Sequence, residues 1–221
     1  MSEARSRILE RLRRSSETKP YYLNTLKDRE AEWQARQPEL GDLREVFSGE
    51  LEKVSAKVIR VPDWQSLPEA VTPWFREYRI NTAMTGEEPR LEPLRKHLAD
   101  NANVELHTYS GTLEEQKEEI FSVDCGITTS RGGIADTGSV LMVPSAAEPR
   151  LLSLAVPIHL VVVESASLFP TLGAYLDTGE FQSDTPSNLV LISGASRTAD
   201  IELTLAVGVH GPKELLVALV G

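Results

Sequence analysis

The sequence predicts an α/β fold in which a mostly parallel sheet is flanked by helices and preceded by an N-terminal helical arm. From residue 41 onward, strand-like runs alternate with helix-like segments. The strand-like runs of the second half are almost continuously apolar, which is typical of strands covered on both faces of a parallel sheet. Charge is uneven, with 42 charged residues in 1–120 and 14 in 121–221. We therefore divide the chain into an arm, residues 1–40, and an α/β domain, residues 41–221.

The arm is predicted to be helical. Residues 1–14 are basic and carry Ile8, Leu9 and Leu12 at helical spacing, which indicates a short amphipathic helix. Residues 21–41 continue as a polar, helical segment. We expect the arm to pack against the body or a partner subunit rather than to anchor the chain in a membrane.

The first half of the domain alternates helices and strands. Apolar residues recur at i, i+3, i+4 and i+8 from Leu43, which predicts a helix over 43–54 that buries one face. The elements predicted next are a strand over 58–61, a helix over 67–78, a strand over 79–84, a helix over 91–99, a strand over 104–109, a helix over 113–121 and a strand over 123–128.

The second half contains the most apolar strands. They are predicted over 139–143, 158–163, 188–192 and 215–220, with a short helix over 169–176. The segment after Thr198 has two conflicting signals. Apolar residues alternate from Ile201 to Val209 as in a strand, whereas Asp200 and Glu202 suit the first turn of a helix. We predict a helix that begins near Thr198 and stops before Pro212.

Composition excludes several classes of function. A net charge of −10 argues against sequence-independent binding of nucleic acid or of an anionic membrane surface. Cys125 is the single cysteine, so the chain has no internal disulfide and by itself holds neither an iron–sulfur cluster nor a thiolate zinc site. The four histidines lack metal-ligand spacing, which predicts no metal site. The N-terminus lacks a secretory apolar region, and the apolar stretch 151–163 is too short to span a membrane, so we expect a cytoplasmic protein.

Two partial motifs do not support the activities with which they are associated. Gly133 and Gly138 have the spacing of a phosphate-binding loop, but the Lys-Ser/Thr pair that this loop requires is missing, which excludes an ATPase. Ser196 lies in an incomplete nucleophile elbow, in which Thr198 occupies the position of the last glycine. A serine hydrolase is therefore disfavoured.

The segment after the strand 188–192 is a candidate anion site. It offers hydroxyls, a flexible backbone and one cation, from Ser193, Gly194, Ser196, Arg197, Thr198 and Asp200. With a helix N-terminus nearby, these groups would suit a carboxylate or a phosphate. The alternative is that Ser196 or Thr198 merely caps that helix.

A second candidate stretch runs from Gly126 to Ser139. Its candidate ligand-binding residues are Thr128, Arg131, Thr137 and Gly138. Arg131 is one of four basic residues after residue 120. Asp136 and His210 are the candidates for proton transfer, although Asp136 and Thr137 would also fix a turn by bonding to the backbone. His159 lies within an apolar strand and is expected to be a hydrogen-bonded core residue. We predict that this stretch and the segment 193–200 meet in one pocket, with Arg197 paired to the anion.

Four segments carry a family resemblance: 126–128, 134–139, 193–202 and 208–213. They resemble the LUD-domain family, most closely its lactate-utilisation C-type members, over about residues 41–221. The resemblance implies a sheet of the NagB/RpiA/CoA-transferase-like kind and a role in the cytoplasmic oxidation of L-lactate to pyruvate. It implies a chain without cofactors of its own, iron–sulfur clusters on two partner subunits, and a small carboxylate as ligand. Asp136 and Ala195 stand where Glu and Pro are more frequent in the family, and an acidic residue is common before His159.

Three functions remain open at this point. The chain could be the cluster-free subunit of a lactate-oxidising complex that binds a small carboxylate or an anionic cofactor. It could be an independent enzyme acting on a phosphorylated or CoA-linked small molecule. It could also be a structural adaptor that docks through its N-terminal arm.

Overall fold

The computed structural model describes residues 3–17, 39–101, 104–180, 186, 188–199, 205–207 and 211–221. The chain divides into two units, residues 1–39 and residues 40–221. The first unit contains helix α1 (Glu3–Glu17), in which Ile8, Leu9 and Leu12 are exposed. Most of the helical segment predicted over 21–41 falls outside the described residues. In the part of the chain that the structure describes, every helix is too short or too polar to cross a membrane.

The second unit is built from the following elements. The helices are α2 (Leu43–Lys53), α3 (Leu67–Glu77), α4 (Glu92–Asn101), α5 (Leu113–Ser122), α6 (Leu151–Leu154) and α7 (Leu172–Leu176). The strands are β1 (Lys57–Val61), β2 (Thr82–Thr85), β3 (Glu105–Thr108), β4 (Cys125–Thr129), β5 (Gly132–Ile134), β6 (Ser139–Met142), β7 (Ile158–Glu164), β8 (Leu168–Phe169), β9 (Val190–Ile192), β10 (Arg197–Ala199), β11 (Leu205–Val207) and β12 (Glu214–Val220).

The main sheet confirms the predicted fold class. Six strands pair in parallel in the order β1-β12-β7-β4-β2-β3. Alternate residues of the central strands pack on opposite faces, where Leu216 and Ala218 of β12 face the side of α3 and α4, and Leu215 and Val217 face the side of α2. Both faces are therefore covered, which explains the continuous apolar runs in the sequence.

A second sheet was not predicted. Strands β8, β5, β6 and β9 form it, and both β5–β6 and β6–β9 are antiparallel. The runs predicted over 139–143 and 188–192 are thus strands, but the expectation that they belong to a parallel sheet is wrong. The tight turn that joins β5 to β6 forces these two strands to run in opposite directions, since parallel neighbours need a long crossover.

The helix predicted near Thr198 is also wrong. Residues Arg197–Ala199 form β10, which pairs antiparallel with β11. The period of two in the apolar residues is the correct signal at Leu205–Val207, the part of this segment that the structure describes as a strand. The cap residues and the acidic residues 200 and 202 favour a helix only by small local free energies. The pairing of β10 with β11 outweighs them.

Gly126 sets the position of α6 against the main sheet. A Cβ atom added at Gly126 would lie 2.0 Å from the carbonyl oxygen of Leu152 in α6. The absence of a side chain therefore lets α6 pack directly on β4. This contact brings the loop before α6 close to the carboxyl end of β4.

Candidate functional site

A cavity of about 300 Å³ lies beside the carboxyl end of β4. Parallel α/β sheets place their ligands in this position, outside the carboxyl ends of the strands. Thr128, Thr129, Ser130 and Arg131 supply one wall. The rest of the lining consists of Glu88, Arg90, Met142, Val143, Pro144, Ser145, Glu148, Pro149, Arg150, Ser153, Tyr175, Glu180 and Pro186.

Glu148 joins the end of β4 to the loop before α6. The Thr129 backbone N–H donates to Glu148 Oε1 at 2.7 Å, and the Thr129 hydroxyl donates to Oε2 at 2.6 Å. Burial raises the pKa of the Glu148 carboxyl above its ordinary value, and the bonds from Thr129 oppose that rise. Glu148 is therefore a partly buried acid at the cavity that is easier to protonate than an exposed glutamate.

Arg90 is a cation whose charge is already compensated. Its guanidinium donates to Glu88 Oε1 at 2.8 Å and to Glu164 Oε1 at 3.0 Å. It also lies over the ring of Trp64, with 5.4 Å from Cζ to the ring centroid. These contacts hold Arg90 as a fixed part of the cavity wall.

The other two arginines of the cavity differ in their partners. Arg131 Nε donates to Glu180 Oε2 at 3.0 Å, and both side chains are about half exposed. Arg150 forms no ion pair with any described carboxylate. It is the cation of this cavity that remains available to a bound anion.

His159 lies behind Thr128. The imidazole is fully buried, and its Nε2 is 2.8 Å from Thr128 Oγ1. Burial lowers the pKa of His159 to about 3, so the ring is neutral at physiological pH. The expectation of a hydrogen-bonded core histidine is confirmed.

The two stretches singled out in the sequence are in contact through Ser139 and Ser193, whereas the predicted pocket around Arg197 stays a prediction. Ser139 Oγ lies 2.6 Å from Ser193 Oγ and 2.8 Å from Thr137 Oγ1. Asp136 is exposed, and its backbone N–H donates to the carbonyl oxygen of Pro170. This hydroxyl chain joins β6 to the end of β9.

Gly138 fixes the turn at this meeting point. Its φ is +56°, and an added Cβ would lie 2.7 Å from the backbone nitrogen of Leu51 in α2. Glycine is thus required by both the left-handed backbone and the close approach of α2. Gly138 thus sets this turn, and no side-chain bond from Asp136 or Thr137 to the backbone is seen among the described residues, so the role of Asp136 stays a prediction.

The structure separates the predicted site residues. Thr128 and Arg131 line the cavity. Asp136, Thr137 and Gly138 follow β5, which begins next to Arg131 and whose three residues span about 10 Å at about 3.3 Å each. The structure thus places the hydroxyl chain at one end of β5 and the cavity at the other.

The remaining predicted residues lie after β9. Gly194 has a φ of +110° and packs against Val54, and the Ser196 backbone N–H donates to Pro212 at 2.8 Å. Arg197 and Thr198 belong to β10, and their side chains are outside the description. Asp200 and His210 lie outside the described residues, so the roles assigned to them stay predictions.

Sequence reasoning missed five charged residues of the cavity, namely Glu88, Arg90, Glu148, Arg150 and Glu180. Arg150 carries the signal that singled out Arg131, since it too is one of the four basic residues after residue 120. Glu148 and Arg90 have no local signal, because their position depends on how loops pack at the end of β4. Within the described ranges, no group of three or more His, Cys, Asp or Glu side chains is placed to hold a metal ion.

Comparison with known proteins gives the relationships of the chain. The model of the LUD domain family matches residues 44–220. An uncharacterized protein of Neisseria meningitidis is 31% identical over 73% of this chain and 77% of its own length. Lactate utilization protein C of Halalkalibacterium halodurans is 28% identical over 66% of this chain and 65% of its own.

A solved structure shows the same fold. The crystal structure of a DUF162 family protein from Deinococcus radiodurans superposes with a TM-score of 0.61 at 22% identity, over 82% of this chain and 99% of that one. The family model covers the whole main sheet together with the cavity at the end of β4. The chain therefore belongs to the LUD domain family.

Proposed function

We propose that this protein acts in lactate utilization and that the cavity beside β4 binds a small carboxylate such as L-lactate. The observation that carries the proposal is Arg150, a cation without a described carboxylate partner, in a cavity rich in hydroxyl groups. The relatives named Lactate utilization protein C support the choice of substrate class.

The lining suits a carboxylate with an adjacent hydroxyl. A guanidinium forms charge-assisted hydrogen bonds to carboxylate oxygens, and these are stronger than neutral ones. Thr128, Ser130 and Ser153 are among the residues that line the same space, and the hydroxyls of Ser130 and Ser153 donate to the backbone carbonyl oxygens of Val162 and Arg150. At about 300 Å³ the cavity lies at the lower end of the size range of ligand pockets, so a three-carbon acid fits with ordered water.

The finer proposal is that the chain is the cluster-free subunit of a cytoplasmic complex that oxidises L-lactate to pyruvate. Cys125 is fully buried, and burial raises the pKa of its thiol to about 12, so it offers no thiolate at neutral pH. Under this proposal the iron–sulfur clusters belong to two partner subunits, where electron transfer takes place, and this chain contributes the carboxylate site.

Calorimetry with L-lactate and pyruvate tests the carboxylate site. We expect Arg150→Gln to weaken binding at least tenfold, which is about 1.4 kcal/mol. Arg76→Gln is the matched control, because Arg76 is exposed in the last turn of α3, away from the cavity. Equal affinities in Arg150→Gln and wild type would contradict the proposed site.

Purification from the native host tests the complex. We expect iron and acid-labile sulfide to copurify with this chain when it is isolated under oxygen-free conditions. The chain produced alone in a foreign host is the control and should hold neither. A native preparation without iron would contradict the proposed assembly.

A further inference from the structure

Thr128 lines the cavity, and the fully buried His159 lies behind it as its polar partner. Thr128 lies on β4 opposite Val161 of β7, and His159 lies opposite Gly126. The two side chains are therefore diagonal neighbours on one face of the sheet. This placement brings the imidazole to the Thr128 hydroxyl, with 2.8 Å between Nε2 and Oγ1.

The surroundings of His159 indicate which ring nitrogen carries the proton. A neutral imidazole has one N–H group and one acceptor nitrogen. Nε2 lies 2.8 Å from Thr128 Oγ1, whereas Nδ1 is buried without a hydrogen-bond partner among the described groups. A buried N–H without an acceptor is rarer in proteins than a buried acceptor that lacks a donor. The proton is therefore on Nε2, and His159 donates to Thr128.

This direction determines what Thr128 can offer to a ligand. Its oxygen accepts the bond from His159, so its own O–H is left to donate elsewhere. Thr128 also lines the cavity. We propose that His159 is a positioning residue that holds the Thr128 hydroxyl as a hydrogen-bond donor to an oxygen of the anion bound in this cavity.

The inference rests on the proposed function for the identity of the anion. The Thr128 hydroxyl would supplement Arg150 as a donor to carboxylate oxygen. The bond from His159 polarises the hydroxyl and strengthens that donation. The hydroxyl hydrogen of Thr128 has no other acceptor among the described groups, so it is left to donate to an oxygen of the anion.

The tautomer can be measured without any ligand. In protein labelled with ¹⁵N histidine, long-range ¹H–¹⁵N correlations distinguish the two neutral forms, and His159→Leu assigns the signals. We expect the neutral Nε2–H form of His159 from pH 6 to pH 8. The Nδ1–H form, or an imidazolium in this range, would overturn the inference.

Binding by paired variants tests the donor role. We expect Thr128→Val, which removes the hydroxyl, to weaken L-lactate binding about tenfold or more, and Thr128→Ser to stay within about threefold of wild type. His159→Gln, whose amide can donate to Thr128, should retain more affinity than His159→Leu. A purely structural role would not produce this rescue by Ser and Gln.

The outcomes separate this inference from the proposed function. Wild-type affinity in Thr128→Val, together with weakened binding in Arg150→Gln, would overturn the inference and keep the carboxylate site. A wild-type protein that binds no carboxylate would contradict the proposed function instead. The tautomer measurement stands even where a variant fails to fold, because it uses the wild-type chain.

Discussion

His159 makes the stability of the protein sensitive to acid. Burial lowers the pKa of its imidazole from an ordinary 6.5 to about 3, so the unfolded chain binds a proton more readily than the folded one. Its contribution to the free energy of unfolding is complete above pH 6.5 and is lost as the pH falls toward 3. Between pH 7 and pH 4.5 we expect a loss of about 3 kcal/mol.

Urea unfolding at a series of pH values measures this loss. In His159→Leu, the free energy of unfolding should fall less between pH 7 and pH 4.5, because the contribution of the imidazole is absent. The comparison uses the slope rather than the absolute stability, so a change in packing at the site affects both ends of the range equally. An identical slope in wild type and His159→Leu would show that the imidazole is not held neutral by burial.

Glu148 makes the stability of the protein change with pH in the opposite direction to His159. Burial raises the pKa of this carboxyl above its ordinary 4.5, so the folded chain binds the proton more readily than the unfolded one. Its contribution to stability is complete below pH 4.5 and is lost as the pH rises through the raised value. We expect Glu148→Gln to remove this loss, as measured by thermal unfolding from pH 4.5 to pH 8. If the variant loses stability with rising pH as steeply as wild type, the pKa of the Glu148 carboxyl is not raised in the folded chain.

The sequence allowed only some of the residues of the cavity to be predicted. Thr128 is a candidate because it ends a predicted strand, and Arg131 because it is a rare cation near that strand end; both line the cavity. Arg150 could have been chosen by the same scarcity of cations, but it follows no strand directly. Glu148 could not be found from the sequence, because what distinguishes it is its hydrogen bonds with Thr129, which lies 19 residues away in the chain.

At the level of elements, the contact between α6 and β4 shapes the cavity. We expect Gly126→Ala to destabilise the fold by about 3 kcal/mol, because its Cβ would lie 2.0 Å from the Leu152 carbonyl oxygen and force α6 away from the sheet. Gly49→Ala is the control. Gly49 lies within α2 with nothing near an added Cβ, so alanine there should stabilise by about 0.5–1 kcal/mol.

Chemical denaturation of the two variants checks this expectation. A Gly126→Ala protein as stable as wild type would show that α6 does not rest on β4. The same variant should also lose affinity for L-lactate. Ser153 lies in α6 and Arg150 lies directly before it, so a displacement of α6 moves both residues away from the cavity.

The elements show which parts of the fold can be predicted from sequence. The parallel strands were found because burial on both faces makes them continuously apolar, and this signal is local. The antiparallel sheet was missed because β6 and β9 are equally apolar, and their direction depends on a turn and on distant partners. At β10 the choice between helix and strand depended on β11, a partner that a local cap signal does not reveal.

At the scale of the whole molecule, the apolar core belongs to the second unit. Among the described residues, every buried apolar side chain lies between Phe47 and Val220. Hydrophobic burial is the main source of stability, so residues 40–221 should fold without the first unit. We expect a protein of residues 40–221 to unfold cooperatively, with a Tm within a few degrees of the full chain.

Calorimetric unfolding of both proteins measures that difference. A broad transition without a heat-capacity peak in the shorter protein would contradict an independent second unit. If it folds, its affinity for L-lactate should match that of the full chain, because all residues that line the cavity beside β4 lie in the second unit.

The most direct test of the carboxylate site is a map of backbone amide shifts during titration with L-lactate, recorded by NMR on the full chain. We expect the largest shifts in residues 128–131 and 148–153, at the end of β4 and around α6. Shifts concentrated at residues 136–139 and 193–198 instead would place the ligand at the hydroxyl chain between β6 and β9. That result, or no shifts at all, would contradict a carboxylate site beside β4.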